Sequence, residues 1–526
     1  MAGANAFSRR DLLASAVVAG GALSFGPGFL KAALAAPAVA GESPYGPLQP
    51  PDALGLMLPE GFTGREIARG GSIVGGYPWH FASDGQATYR TQAGGHILVS
   101  NSEAPGVLGG GSSAIRFTPA GAVERAYRIL AGTNLNCAGG PTPWGTWLSC
   151  EEHPGGMVWE ADPAGVLPAL PRPALGNFAH EAAAVDPADG RVYLTEDEGD
   201  GCFYRFTPDA PPSLLSGVLE VAVVAADGSV GWSEVPDPNL VLGLAFTREQ
   251  VPEATRFDGG EGLWHHDGVI YFTTKGDRRV WAYDARAGVL DVLYDRAQAP
   301  GSALDAVDNV TVSASGDVYV CEDGGNMEIG VITPERVVAP FLRLTGPAHE
   351  QGSEMVGVVF DPSATRMYFG SQRAHPIVGE TPAALGAIYE VTGPFRLPPG
   401  GVPEETVFGP PAGERLLSGL GDAVPGLAMR VTVLPGAVQA ALVLAEPAEL
   451  RAVLRTAELE TAHSPRWREP RPVLTTLAER TIRAGAGPSL LTLRPDAPRP
   501  VRAILTVAAR TRSSRRLVAA RAVEVG

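Results

Sequence analysis

Hydrophobic and polar positions along this chain alternate in short bursts, with little of the spacing that marks helices. Six stretches repeat one pattern: a turn residue, a run of β-branched, aromatic or leucine side chains, then a polar or acidic cluster. They lie at 95–103 (GHILVSNSE), 145–152 (GTWLSCEE), 190–198 (GRVYLTEDE), 268–277 (GVIYFTTKGD), 316–323 (GDVYVCED) and 365–373 (TRMYFGSQR). Aligned on the last core residue they fall at Val99, Leu148, Leu194, Phe272, Val320 and Phe369; four of the five intervals are 46 to 49 residues and the third is 78. A period near 48 with strand-like content predicts a β-propeller, about 40–50 residues to each four-stranded blade. The expected fold is all-β: a propeller of about six blades over 41–395, with a small β-rich appendage at the C-terminus.

The remaining pattern fits between these landmarks. LPEGF at 58–62 opens a first strand expected to close the ring, and the long third interval holds an insertion at about 207–257. RLPPGGVPEETVFGPPAG at 396–413 reads as a linker by composition. Beyond it, 427–434, 438–444, 452–459 and 501–508 run or alternate apolar at strand length, although 448–459 reads equally well as a helix.

Composition adds constraints. Glycine (66) and proline (47) are abundant among the 526 residues, as many short strands joined by turns require. The net charge of −16 is uneven: from Glu414 onward 17 arginines face 10 acids, leaving −23 on residues 1–413. An acidic body argues against nucleic acid as a partner and suits bound cations. Lysine occurs only at Lys31 and Lys275.

The N-terminus reads as an address. Ser8-Arg9-Arg10-Asp11-Leu12-Leu13 precedes an apolar run to about Phe25, with small-residue cleavage candidates at 33–35 and 38–40. This is a twin-arginine signal, so export to the periplasm or beyond is expected, with a signal peptide over 1–40 and a mature chain from near Gly41. The apolar run is too short and too glycine-rich for a membrane span.

A second register position precedes each strand motif: Asn136-Cys137, His180-Glu181, Glu261-Gly262, Asp308-Asn309 and Glu354. Seven to ten residues, a strand's length, separate each from the following turn. Antiparallel hairpins bring the start of one strand and the end of the next to the same edge. Cys137 should therefore share a rim with Glu151 and Glu152, Glu181 with Glu196–Glu198, Asp308 with Glu322 and Asp323, and Glu354 with Arg373. In a propeller these edges converge on one mouth of the channel, giving an acid-lined funnel.

So many anions raise one another's pKa unless cations offset them. Hard oxygen ligands suit Ca²⁺, and a thiolate alongside suits iron. Taken singly, each glutamate also fits a turn cap or a solvated blade end. Cys137 fits a metal ligand, a buried thiol or a disulfide partner of Cys150, Cys202 or Cys321. Lys275 and Arg373 occupy the same rim position in the fourth and sixth copies, where two cations beside a metal would bind an anion such as phosphate.

The run NCAGGPTPWGTW at 136–147, followed by Ser149-Cys150-Glu151-Glu152, resembles the diagnostic segment of the PhoX-type alkaline phosphatases. Phe178-Ala179-His180-Glu181, Asp308-Asn309-Val310-Thr311-Val312, Cys321-Glu322-Asp323-Gly324 and Ser353-Glu354-Met355-Val356-Gly357 resemble it too, over about 58–394. The resemblance implies a propeller phosphomonoesterase acting on small phosphate esters at an iron–calcium cluster (Fe³⁺ and Ca²⁺) with one cysteine ligand. Carried onto this sequence, Cys137 is that thiolate, and Glu151, Glu152, Glu181, Glu196, Glu261, Asp308, Glu322 and Glu354 are the carboxylate candidates. Lys275 and Arg373 would neutralise charge on the equatorial phosphate oxygens during in-line transfer. The motif at Phe369–Arg373 and the extension after Glu414 depart from the family pattern.

Two rival classes compete. A calcium-dependent lactonase or esterase needs one Ca²⁺, for which Glu261, Asp308 and Asn309 would serve, and has no use for Cys137. A non-catalytic exported binding propeller needs calcium only for structure.

Overall fold

A computed structural model describes residues 36–402 apart from 92, 167–168, 241–244, 351 and 374–384, together with 408, 411 and the strands between 423 and 525. The expected leader over 1–35 lies outside the described residues. Among those described, regular structure is nearly all strand; Pro347–Glu350 is a single helical turn. No helix is long and apolar enough to cross a membrane.

Five sheets, antiparallel but for one parallel edge strand (Val39–Ala40) on the fifth, follow one another along the chain, with hairpins starting at Ser83–Arg90, Asn136–Pro141, His180–Val185, Gly260–His266 and Val307–Val312. The sixth combines Met355–Phe360, Arg366–Ser371 and Ala387–Thr392 with the early strand Thr63–Arg69, so the two ends of this region are hydrogen-bonded into one sheet. That strand begins directly after LPEGF at 58–62, the segment expected to close the ring. The first strands of the six sheets touch in cyclic order, and the last returns to the first.

Small residues permit this convergence. A Cβ on Gly262 would lie 2.5 Å from Asn309 Cα on the next sheet, and one on Gly357 would lie 2.7 Å from the Asp84 carbonyl oxygen. Larger side chains at these positions would force adjacent first strands apart. Farther out, bulky side chains fill the wedges between sheets. Phe203 stacks on Phe272 at 4.5 Å, with Phe257, Tyr193 and Tyr283 around them. Full burial of each such ring stabilises the fold by about 2–3 kcal/mol.

The long third interval is accounted for by a five-stranded sheet, whose long fourth strand Ser213–Val224 and extra fifth strand Val230–Glu234 lie in the insertion. At the C-terminus two four-stranded sheets enclose a core of Val438, Leu442, Leu450, Leu454, Leu491, Leu505 and Val507, against which Leu215 of the insertion packs. Ala448–Leu459 is a strand there, not a helix: Leu450, Ala452 and Leu454 are buried at strand alternation. The segment read as a linker is anchored at Phe408, whose carbonyl accepts from Arg90 N (3.0 Å) and whose ring meets Trp264 edge-on.

Candidate metal centre

In five of the six sheets a bulge shifts the register directly after the first residue of the first strand, and in the sixth after its second, so one pair at the rim end stands apart from the regular ladder of the hairpin. Asn136 pairs with Glu151, His180 with Glu196, Gly260 with Thr274 and Val307 with Glu322. Consecutive residues on a strand face opposite sides, which separates the doubled acids.

The residue one step beyond each pair reaches the hub. Three sets of ligand atoms each lie within 4.8 Å of one another: Asp84, Glu103 and Cys137; Cys137, Glu152 and Glu181; Glu181, Glu261 and Asp308. Shared members link the sets into one centre drawn from five of the six sheets. Two cations border it. Lys275 Nζ lies 2.8 Å from Asp197 Oδ2 and 2.5 Å from Glu261 Oε1. Arg373 Nη1 lies 2.7 Å from Glu354 Oε1, and its Nη2 is 3.7 Å from Glu103 Oε2.

Glu151, Glu196 and Glu322 are not brought into this centre. Glu151 accepts from Asn134 N, Met157 N and Trp159 Nε1. Glu196 accepts from Cys202 N, the Tyr204 hydroxyl and Arg248 Nη1. Glu322 accepts from Asp305 N and Glu328 N. Each ties the second strand of its sheet to the segments around it, so these three hold the end of the sheet together. All four cysteines are free thiols and buried.

Electrostatics fits a multivalent cation. Burial and the surrounding acids push Glu152, Glu181 and Asp308 well above the usual carboxyl range. Burial, opposed by Arg373, does the same to Glu354. Burial raises Asp84 to about 6, and it raises Glu261 to about 8 against the pull of Lys275. The Cys137 thiol is pushed up by burial and then by Asp84, Glu181, Glu103 and Glu152. Glu181 is 1% exposed, and its Oε1 receives no hydrogen bond from the described residues. A buried carboxylate oxygen facing a thiol and further acids is strongly disfavoured as an anion unless a cation joins it. Oxygen donors with a single sulfur match hard cations plus one thiophilic metal. Beside them, Asn309 donates its Nδ2 to Asp308 Oδ1 (3.0 Å) and accepts from Gly357 N at its Oδ1 (2.5 Å).

Sequence reasoning missed Asp84, Glu103 and Gln372, and within the Glu196–Glu198 cluster it singled out Glu196 where Asp197 is the residue that meets Lys275. Glu103 ends the first repeated strand motif, Asp197 is the next-to-last residue of the third, and both share the register position of Glu152. Asp84 shares that of Cys137, but a longer first hairpin hides it when spacing alone is compared.

Fold and site together define an all-β protein whose radiating antiparallel sheets meet at a centre lined by carboxylates and one thiol. The chain belongs to the alkaline phosphatase PhoX family, whose sequence profile matches residues 78–375. No curated protein sequence matches the chain. Among solved structures, a gluconolactonase from Xanthomonas campestris aligns at 14% identity and TM-score 0.35, covering 68% of this chain and 98% of that one. A calcium-binding protein, regucalcin, from Agrobacterium tumefaciens aligns at 13% and 0.36, covering 63% and 97%. A protein of unknown function from Bacteroides thetaiotaomicron aligns at 10% and 0.40, covering 63% and 76%.

Proposed function

We propose that this phosphatase is an exported phosphomonoesterase, and that the ring of sheets is a six-bladed propeller whose channel mouth holds a mixed iron–calcium centre. The observation that carries this reading is the linked arrangement of three ligand sets around Cys137 and Glu181. Cys137, with Asp84, Glu103 and Glu152 near it, would hold the iron. Glu181, Glu261 and Asp308 would hold calcium. Bound there, the metals supply Lewis-acid polarisation of the phosphate oxygens.

The chain's own groups do the rest. Lys275 and Arg373 border the centre from the fourth and sixth sheets, so a phosphate between them meets an ammonium on one side and a planar guanidinium on the other. Their acid partners hold both cations in place before substrate arrives, which lowers the cost of reorganisation. Export by the twin-arginine route would deliver the protein already folded around its metals.

The test is a metal count on protein purified after its own export, paired with hydrolysis of para-nitrophenyl phosphate with and without added Ca²⁺. Iron together with calcium, and activity lost in Cys137→Ser along with the iron, is the expected result. Cys137→Ser with full iron and full activity would remove the thiolate from the assignment. Calcium alone, without phosphatase activity, would remove the function.

A further inference from the structure

The first and sixth sheets meet at Gln372, which is 1% exposed. It ends the hairpin of the sixth sheet, where its N–H donates to the Glu354 carbonyl (3.1 Å). The matching bonds elsewhere run from Glu103 N to Ala82 O, Glu152 N to Leu135 O, Asp197 N to Ala179 O, Lys275 N to Gly259 O and Asp323 N to Ala306 O. Five sheets thus place a charge at this position, and the sixth places a neutral amide.

Both hydrogens of that amide are committed. Gln372 Nε2 donates to Asp84 Oδ2 at 2.6 Å and to Glu103 Oε2 at 2.6 Å. Two facing acceptors fix which end of the amide is NH₂. Asp84 Oδ1 is held separately by Gly85 N (2.7 Å). The backbone is set to allow this: Gly386, at φ +57, passes so close that a Cβ there would lie 2.7 Å from the Gln372 carbonyl oxygen. A lysine in place of Gln372 would offset the acids' charge, and an acid would repel them. An amide holds both carboxylates while leaving their charge available to a cation.

We propose that Gln372 is a positioning residue of the metal centre: its NH₂ clamps Asp84 to Glu103 across the junction of the first and sixth sheets, in the geometry that brings both beside Cys137. The clamp sets the affinity of that ligand set for a thiophilic metal. Its Oε1, buried and receiving no hydrogen bond from the described residues, remains as a neutral oxygen donor. This inference rests on the metal reading of the centre.

The test uses the full exported chain with Gln372→Met, which keeps the length and loses both donors, and Gln372→Glu, which keeps the shape and replaces the donors with a third carboxylate. Iron per chain, the visible thiolate-to-iron absorption band and the chelator concentration that removes half the iron are measured for each. Loss of an outer partner of a metal ligand costs about 10–100-fold in metal affinity, so both variants should release iron at correspondingly lower chelator with a shifted band. Wild-type protein that holds iron, with variants that hold it equally and show the same band, overturns the clamp alone. Wild-type protein without metal overturns the centre and the clamp with it. If Gln372→Met does not fold, Gln372→Glu carries the same comparison.

Discussion

Lys275 Nζ lies 2.5 Å from Glu261 Oε1, joining the chain's second lysine to a carboxylate that also belongs to a ligand set of the hub. Lys275 stands where the neighbouring sheets place Glu152, Asp197 and Asp323, so the charge at this register position is reversed. An ammonium held between Asp197 and Glu261 is preorganised for an anion arriving at the mouth. Lys275→Met should lower kcat/KM for para-nitrophenyl phosphate by about 10²–10³-fold, the usual loss for one preorganised charge-stabilising group. Lys275→Arg should recover little of it, because a planar guanidinium cannot replace a compact ammonium between two acids. Steady-state kinetics beside a metal count checks this, and unchanged kcat/KM in Lys275→Met would remove the residue from the substrate site.

Glu151 and Glu152 are adjacent in sequence and should respond oppositely to neutralisation. Glu152→Gln takes a ligand from the set with Cys137 and Glu181, so metal content and activity should fall together while the metal-free protein keeps its stability. Glu151→Gln weakens bonds from Asn134 N, Met157 N and Trp159 Nε1, and its cost should be about 1–3 kcal/mol of stability. Its metal content per folded chain should match wild type. Chemical denaturation and metal analysis on the two variants separate the roles, and metal loss in Glu151→Gln would show that its carboxylate reaches the hub.

That pair also shows how far the sequence could be read. The period of the strand motifs located the hairpins and one acid-bearing edge, because burial writes itself into alternating side chains. It did not say which of two consecutive acids turns inward, since a bulge shifts the register between the ends of each hairpin. Asp84 escaped because the first hairpin is longer and sets it farther from its turn, and Gln372 because a neutral amide carries no charge pattern to notice. In the appendage the sequence pattern does not mark Pro472–Ala484, Gly487–Leu493 or Arg516–Val525; frequent alanine and arginine blur the period-two signal in the first and last.

Metal removal should make stability depend on pH with a definite sign. Burial raises Glu322 from 4.5 to about 7 and Glu261 from 4.5 to about 8. A carboxyl with a raised folded-state pKa contributes stability that is fully present below about pH 4.5 and is lost as pH climbs through 7 to 8. Chelator-stripped protein should therefore melt at progressively lower temperature between pH 5 and 8.5. Metal-loaded protein should show a flatter profile, because bound cations favour the ionised forms of Glu261 and the other hub acids and leave only the share of Glu322, which lies outside the hub. Differential scanning fluorimetry across that range decides it; a flat or rising Tm in the stripped protein would mean that the hub acids are offset by the protein itself.

Processing of the N-terminus is constrained by the fifth sheet. Val39–Ala40 pairs in parallel with Val337–Val338, Ala38 is fully buried with its N–H on the Leu293 carbonyl, and Arg336 Nη1 donates to the Ala36 carbonyl. Of the two cleavage candidates, one within 38–40 would remove this edge strand and expose Val338, Leu293 and their neighbours, whereas one at 33–35 would leave it whole. On the proposed export, the protein is therefore expected to begin at or just before Ala36, a few residues ahead of the start near Gly41 that small-residue spacing suggests. Intact-mass measurement of the secreted chain reads the site directly. A variant made to begin at Gly41 should melt several degrees lower, because its fifth sheet loses a hydrogen-bonded edge and the side chain that covers its core. Equal melting temperatures for the two starts would show that residues 36–40 add nothing to the fold.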